Sequence, residues 1–157
     1  MNGAVEARFG HVNIIARDWR VLARFYSEVF GCVPVPPERD YAGADLEAVT
    51  GIPGAALRGV HLRLPGLGPD GPTLEIYSFG AMPDGEAGPV TRPGLRHIAF
   101  GVPSVADARD AVIAAGGGVV GDVVKLRTTD GRFVTLVYAT DPEGNILELQ
   151  SWSDVTG

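Results

Sequence analysis

Apolar and polar positions along this chain follow two periods in succession, and the succession occurs twice. The run HVNIIA (11–16) alternates as a half-buried β-strand does, and from Asp18 the period lengthens. Leu22, Phe25, Tyr26 and Val29 then fall on one face of a helix, with Asp18 as its N-cap and Gly31 at its C-terminal stop. The same signals return from His97, 86 residues after His11. HIAFGV reads as a strand, Ser104 as a cap with Asp107 at the capping-box position, and Val105, Ala108, Ala111, Val112 and Ala115 as a stripe ending at Gly116.

The two halves also end alike. LEIYSF (74–79) overlays LELQSW (147–152), with Leu on Leu, Glu on Glu, Ser on Ser and aromatic on aromatic. Between these landmarks, residues 56–64 and 72–79 read as strands flanking the turn-rich PGLGPDG, while 36–58 carries no legible motif beyond a helical turn at 44–51. In the second half the strands are 119–126, 133–139 and 145–152, the last two joined by a turn at DPEGN. The expected architecture is α+β, two fused βαβββ modules. The first spans 1–82, a Pro- and Gly-rich linker 83–93, and the second 94–157.

Composition narrows the partners. The chain has 157 residues with 45% apolar and 20% charged, enough for a packed core. Thirteen basic residues against nineteen acidic ones give a net charge of −6, which argues against nucleic acid or an anionic membrane as partner. No stretch of apolar residues is long enough to span a bilayer, and Met1–Gly10 lacks a signal-peptide core. The single cysteine, Cys32, has no internal partner and reads as a small buried hydrophobe. The expectation is a cytoplasmic protein acting on a small molecule. GLGPDG and GGGVVG satisfy G-x-G-x-x-G, but neither joins a strand to a following helix, so no nucleotide site follows.

The repeat sets equivalent chemistry in each half: His11 and His97 open the first strands, and Glu75 and Glu148 sit in the last ones. Two imidazoles and two carboxylates suit a divalent ion such as Zn, Ni, Co, Mn or Fe, and leave coordination for water or substrate. If the modules are related by a pseudo-twofold axis, the four residues converge near it. A lone glutamate in a strand usually faces solvent, and a lone histidine is usually hydrogen-bonded in a core; recurrence at equivalent positions favours ligands. Strand alternation puts Asn13 beside His11, Thr73 and Tyr77 beside Glu75, and Gln150 beside Glu148. Asn13, Tyr77 and Gln150 are candidate substrate contacts or supports for the ligands, and Arg63 is a candidate for an anionic substrate group. His61 shares Arg63's face, has no counterpart of its type in the repeat, and reads as structural or exposed, with a place lining the site as the lesser alternative.

With these residues in view, the chain resembles the vicinal oxygen chelate superfamily. The carriers are HVNIIA followed by FYSEVFG, then TLEIY, GLRHIAFGV and YATDPEGNILEL, covering about 8–152. The resemblance implies paired βαβββ modules forming a β-sheet cup around one divalent metal, usually in a homodimer. His11, Glu75, His97 and Glu148 match the metal-ligand positions. Glyoxalase I-like members carry His or Gln, Glu, His and Glu, the set found here. Extradiol dioxygenases and fosfomycin-resistance enzymes typically lack the carboxylate at the Glu75 position, and methylmalonyl-CoA epimerases usually carry Gln there. Leu22, Ala16, Cys32 and RPGLR before His97 depart from true glyoxalase I and weaken a glutathione-specific assignment. The resemblance therefore implies a metal-dependent isomerase, epimerase or lyase that abstracts a proton next to a substrate oxygen held by the metal. Glu148 is the first choice of base and Glu75 the second. The alternatives are an Fe(II) extradiol-type dioxygenase using His11, His97 and Glu148, and a non-catalytic small-molecule binding or resistance protein.

Overall fold

The computed structural model describes residues 5–153 and divides into two compact units, each built around its own sheet. One comprises the chain through Ala23 together with Gly31–Met82; the other comprises Arg24–Phe30 and the chain from Pro83 onward. The protein is α+β, with three helices and two mixed sheets among the described residues.

In the first unit, β1 (His11–Ile15) leads into helix α1 (Trp19–Phe30). The Asp18 carboxylate accepts from the backbone N–H groups of Arg20 and Val21, satisfying two of the donors left free at a helix start. Leu22, Phe25 and Tyr26 are buried and Val29 is half-buried, so the stripe read from the periodicity is the packed one. Gly31 follows the last helical residue at φ 69°, a conformation that favours glycine. The chain continues through β2 (Val33–Ala42), the short helix α2 (Ala44–Thr50), β3 (Ala56–Arg63) and β4 (Thr73–Phe79). The sheet order is β1-β4-β3-β2, parallel only between β1 and β4.

Strand β2 falls in the stretch that carried no legible motif. Its sequence VPVPPERDYA holds three prolines, which argue against a central strand. It is an edge strand, where missing N–H donors leave no inner ladder broken, and its register shifts between Val35 and Arg39. Cys32, immediately before it, is buried, and burial pushes its thiol up to about 11.

The second unit repeats the plan. β5 (His97–Gly101) leads into α3 (Val105–Ala114), followed by β6 (Gly118–Val119), β7 (Val124–Arg127), β8 (Phe133–Thr140) and β9 (Ile146–Ser153). The sheet order is β5-β9-β8-β6, with β7 also on β8 and the only parallel pairing between β5 and β9. The Ser104 side chain accepts from the Asp107 N–H as the capping pattern predicts, and Gly116 takes φ 92° beyond the helix end. Of the α3 stripe, Val105 and Val112 are buried, Ala108 and Ala115 half-buried and Ala111 exposed. The strand expected over 119–126 is two short ones, broken around Gly121 and Asp122, where neither glycine entropy nor a short polar side chain favours a strand.

The C-terminal half of α1 is tied into this second unit. Tyr26 donates its hydroxyl proton to Asp141 at 2.9 Å, and Phe30 stacks on Phe100 at 3.9 Å between ring centroids. Asp141 is almost fully buried, and its carboxylate also accepts from the N–H groups of Glu143 and Asn145 and from the Asn145 amide. Burial raises its pKa; these hydrogen bonds to the charged form work the other way. The same carboxylate thus closes the turn between β8 and β9 and anchors the helix. Asp141→Ala is expected to cost about 3 kcal/mol, since it leaves buried donors unpaired. Urea unfolding followed by circular dichroism measures this, and a loss below about 0.5 kcal/mol would contradict the anchoring role.

Candidate metal centre

In the first unit the parallel pairing of β1 with β4 sets His11 opposite Thr73 and Asn13 opposite Glu75. The β3–β4 hairpin sets His61 opposite Glu75, Gly59 opposite Tyr77 and Arg63 opposite Thr73. With side chains alternating across a sheet, His11, Asn13, His61, Arg63, Thr73, Glu75 and Tyr77 share one face, while Leu62, Leu74 and Ile76 pack into the core on the other.

Glu75 is the centre of this face. It is 9% exposed, and a carboxylate so placed needs partners to offset the lost water. Asn13 donates its amide to Glu75 Oε1 at 2.9 Å. His61 Nε2 lies 2.8 Å from Glu75 Oε2, and His11 Nε2 lies 3.6 Å from Oε1. The other ring nitrogen of His61 is 3.0 Å from the Thr73 hydroxyl, and the Tyr77 hydroxyl is 3.2 Å from His61 Nε2. The two imidazole rings meet edge to face with centroids 5.5 Å apart.

Burial lowers the pKa of His61; the Glu75 charge opposes this, and Arg39 and His11 reinforce it. A neutral imidazole keeps a lone pair for a metal, the form that ligation requires. Burial, helped by the Glu75 carboxylate, raises Tyr77 well above the ordinary phenol range, so Tyr77 stays a hydrogen-bonding phenol. One donor atom from each of His11, His61 and Glu75 can be chosen so that all three lie within 4.8 Å of one another. Two nitrogens and a carboxylate oxygen so close together fit a divalent first-row metal bound at about 2.0–2.2 Å per ligand.

The second unit presents the same register with different side chains. His97 opens β5 as His11 opens β1, and Ala99 pairs with Glu148 as Asn13 pairs with Glu75. On the hairpin side Tyr138 pairs with Glu148, the position His61 holds against Glu75. His97 Nε2 is 3.1 Å from Glu148 Oε2, and the His97 and Tyr138 rings lie 5.3 Å apart. Burial, the Glu148 charge and a hydrogen bond to Glu148 raise the pKa of Tyr138. Gln150 pairs with Gly101 and Leu136, and its side-chain oxygen accepts from the Trp152 indole at 2.9 Å.

The four residues singled out by the repeat thus occur as two His–Glu pairs, one in each unit. Asn13 and Tyr77 lie on the His–Glu face of the first unit, where Asn13 holds Glu75 and Tyr77 contacts His61. Arg63 is on the same face, and its Nε is buried with no hydrogen-bond partner among the described residues. His61, read from the sequence as structural or exposed, is half-buried and lies in contact with Glu75. A search for matching residue types passes over it because its register counterpart is Tyr138. Centring the PGLGPDG hairpin on Gly68 pairs position 61 with 75, and that signal was present in the chain.

Comparison with known families and structures identifies the fold. Residues 8–149 match the model of the Glyoxalase/Bleomycin resistance protein/Dioxygenase superfamily, and the chain belongs to that superfamily. A glyoxalase family protein from Bacillus cereus shares the fold with TM-score 0.73 at 18% identity, over 96% of each chain. A glyoxalase family protein from Enterococcus faecalis shares it with TM-score 0.57 at 22% identity, over 91% of this chain and 96% of that one. A V278E mutant of glyoxalase I from Zea mays does so with TM-score 0.61 at 18% identity, over 90% of this chain and 45% of that one. No curated protein sequence matches the chain. No helix among the described residues is long and apolar enough to cross a membrane.

Gly59 sets the space for this face. A Cβ there would collide with the Ile76 carbonyl and the Tyr77 ring, so the strand must carry glycine for Tyr77 to lie across it. Gly59→Ala is expected to cost about 1–3 kcal/mol through that overpacking. A thermal melt checks the magnitude; an unchanged melting temperature would contradict the close approach of the Ile76 carbonyl and the Tyr77 ring to Gly59.

Proposed function

We propose that this protein is a divalent-metal-dependent isomerase, epimerase or lyase of the glyoxalase-like type, moving a proton next to a substrate oxygen. The observation that carries the reading is the buried Glu75 carboxylate flanked by His11 and His61 on one sheet face. Superfamily membership supports it, as does the repeat of a His–Glu pair in each unit. His11, Glu75, His97 and Glu148 are the proposed metal-binding residues, and Zn, Ni, Co, Mn and Fe all suit such donors. A bound divalent ion would polarise a carbonyl or hydroxyl oxygen and so acidify the adjacent C–H.

The two glutamates are held differently, and this supports a division of labour. Glu75 is gripped by Asn13 and His61, which suits a fixed ligand. Glu148 is half-buried, with His97 and Tyr138 as neighbours, and is the better placed to take up and release a proton. Arg63 offers its guanidinium to an anionic group of the substrate, while Asn13, Tyr77 and Gln150 offer hydrogen bonds to its oxygens or hold the ligands in place. In this reading the protein is a homodimeric cytoplasmic enzyme acting on a small molecule.

A second reading has one specific observation behind it. Two histidines and one carboxylate are also the donor set of Fe(II) enzymes that use O₂. O₂ uptake with catechols, dependent on Fe²⁺, would favour that reading over proton transfer.

The test is deuterium incorporation from D₂O into compounds with a C–H next to a carbonyl: hemithioacetals, α-hydroxyketones and 2-substituted acyl thioesters. Wild-type protein loaded with Ni, Zn, Co, Mn or Fe is expected to exchange at least one class, and a chelator should abolish the exchange. Glu148→Gln should lower the rate about 10²–10⁴-fold with the circular dichroism spectrum unchanged. Wild-type exchange in that variant would remove Glu148 as the base.

A further inference from the structure

Histidines aside, the charged groups on the strands of the first unit's site face are Arg39, Arg63 and Glu75. Arg39 pairs with Gly59, in the row of Tyr77, and Arg63 pairs with Thr73, in the row of His11, so the two flank the row of Glu75. Cations therefore outnumber the carboxylate on this face, although the chain as a whole carries a net charge of −6.

Arg63 differs from the other half-buried arginines. Arg39 donates to the Pro37 carbonyl, and Arg96 donates to the carbonyls of Ala87 and Gly88. Arg63 is half-buried with its Nε out of water, and its guanidinium makes no hydrogen bond or ion pair among the described residues. A cation short of both water and a partner is costly, and an anion is what relieves it. The protein does not supply that anion. The row through Arg63 contains Val33, Thr73 and His11 and no carboxylate. Glu75 is a diagonal neighbour within reach of a long side chain, yet its oxygens are held by Asn13 and His61. Nor does the fold require an arginine here: Thr140 takes the same register in the second unit, against Ile146 in the row of His97.

We infer that Arg63 sets specificity by receiving an oxyanion of the substrate, a carboxylate or a phosphate, and that the substrate is therefore an acid. This rests on the reading that His11, Glu75, His97 and Glu148 hold a divalent metal, and it names the class of molecule that the site takes. A planar guanidinium fork matches the paired oxygens of either group. The row of Arg63 lies about 7 Å along the strands from the row of Glu75. The charge accordingly sits on a different part of the molecule from the oxygen given to the metal. Two anchors at separate points orient the molecule, and so fix which C–H faces the base. The local excess of cations draws acids to this face against the repulsion of an acidic chain.

The experiment titrates zinc-treated wild type, Arg63→Met and Arg63→Lys by calorimetry with two matched pairs of compounds. The pairs are acetoacetate against acetoacetamide, and dihydroxyacetone phosphate against dihydroxyacetone. Methionine keeps the apolar stem without the charge; circular dichroism and zinc analysis report the fold and loading of each chain. Should Arg63→Met fail to fold, Arg63→Gln carries the same expectation. Wild type is expected to bind one anion about tenfold to a hundredfold more tightly than its neutral counterpart, and the pair concerned tells carboxylate from phosphate. Arg63→Met should lose that preference while binding the neutral compound as wild type does, and Arg63→Lys should keep part of it. The full preference in folded Arg63→Met, or a wild type that prefers neither anion or binds neither, would overturn the inference. A wild type that takes up no zinc, yet prefers the anion through Arg63, would overturn the metal reading alone.

Discussion

Parallel pairing between the first and last strands of each unit is the constraint on which the site depends. A parallel strand cannot be reached by a tight turn, so the chain must cross over through a helix and further strands before it returns. That return sets the glutamate of the last strand across from the residue two beyond the first strand's histidine, in both units. A one-residue slip would turn Glu75 or Glu148 into the core and its leucine neighbours outward. Buried Leu74 and Ile76 beside Glu75, and buried Leu147 and Leu149 beside Glu148, make the slip costly. The hydrophobic layer therefore fixes the chemistry: the apolar side of each strand dictates which way its glutamate faces.

From this follows the asymmetry between the units. Both inherit a His–Glu pair from the shared register, but the hairpin strand beside each glutamate supplies a different third group. In the first unit it is His61, backed by Thr73 and accompanied by Tyr77, with Gly59 leaving room for that ring. In the second it is Tyr138, and the residue beside Glu148 on β5 is Ala99 where the first unit has Asn13. The first glutamate is consequently buried and tethered, and the second is less so. A carboxylate held by an amide and an imidazole suits a stationary ligand; one with fewer tethers suits proton transfer.

Much of this was legible in the chain, because it lies in local periodicity or in repetition. The Asp18 and Ser104 caps and the glycines that end both helices appear as written, and the histidine that opens each unit lies beside that unit's last-strand glutamate. What was not legible depended on pairing between strands. Prolines 34, 36 and 37 hid β2, since an edge strand tolerates what a central one cannot. A loop-like stretch around Gly121 split one expected strand into two. His61 escaped because repetition highlights what is the same in two halves, and its importance lies in what differs. Only the hairpin register, which carries position 61 to position 75, brings it to the glutamate.

The most direct measurement of the account's central claim is anomalous diffraction from crystals of the protein grown with Co²⁺. The account predicts a peak about 2.1 Å from a nitrogen of His11 and bonded to Glu75. A peak that touches neither His11 nor Glu75, or no ordered ion beside them, would contradict it.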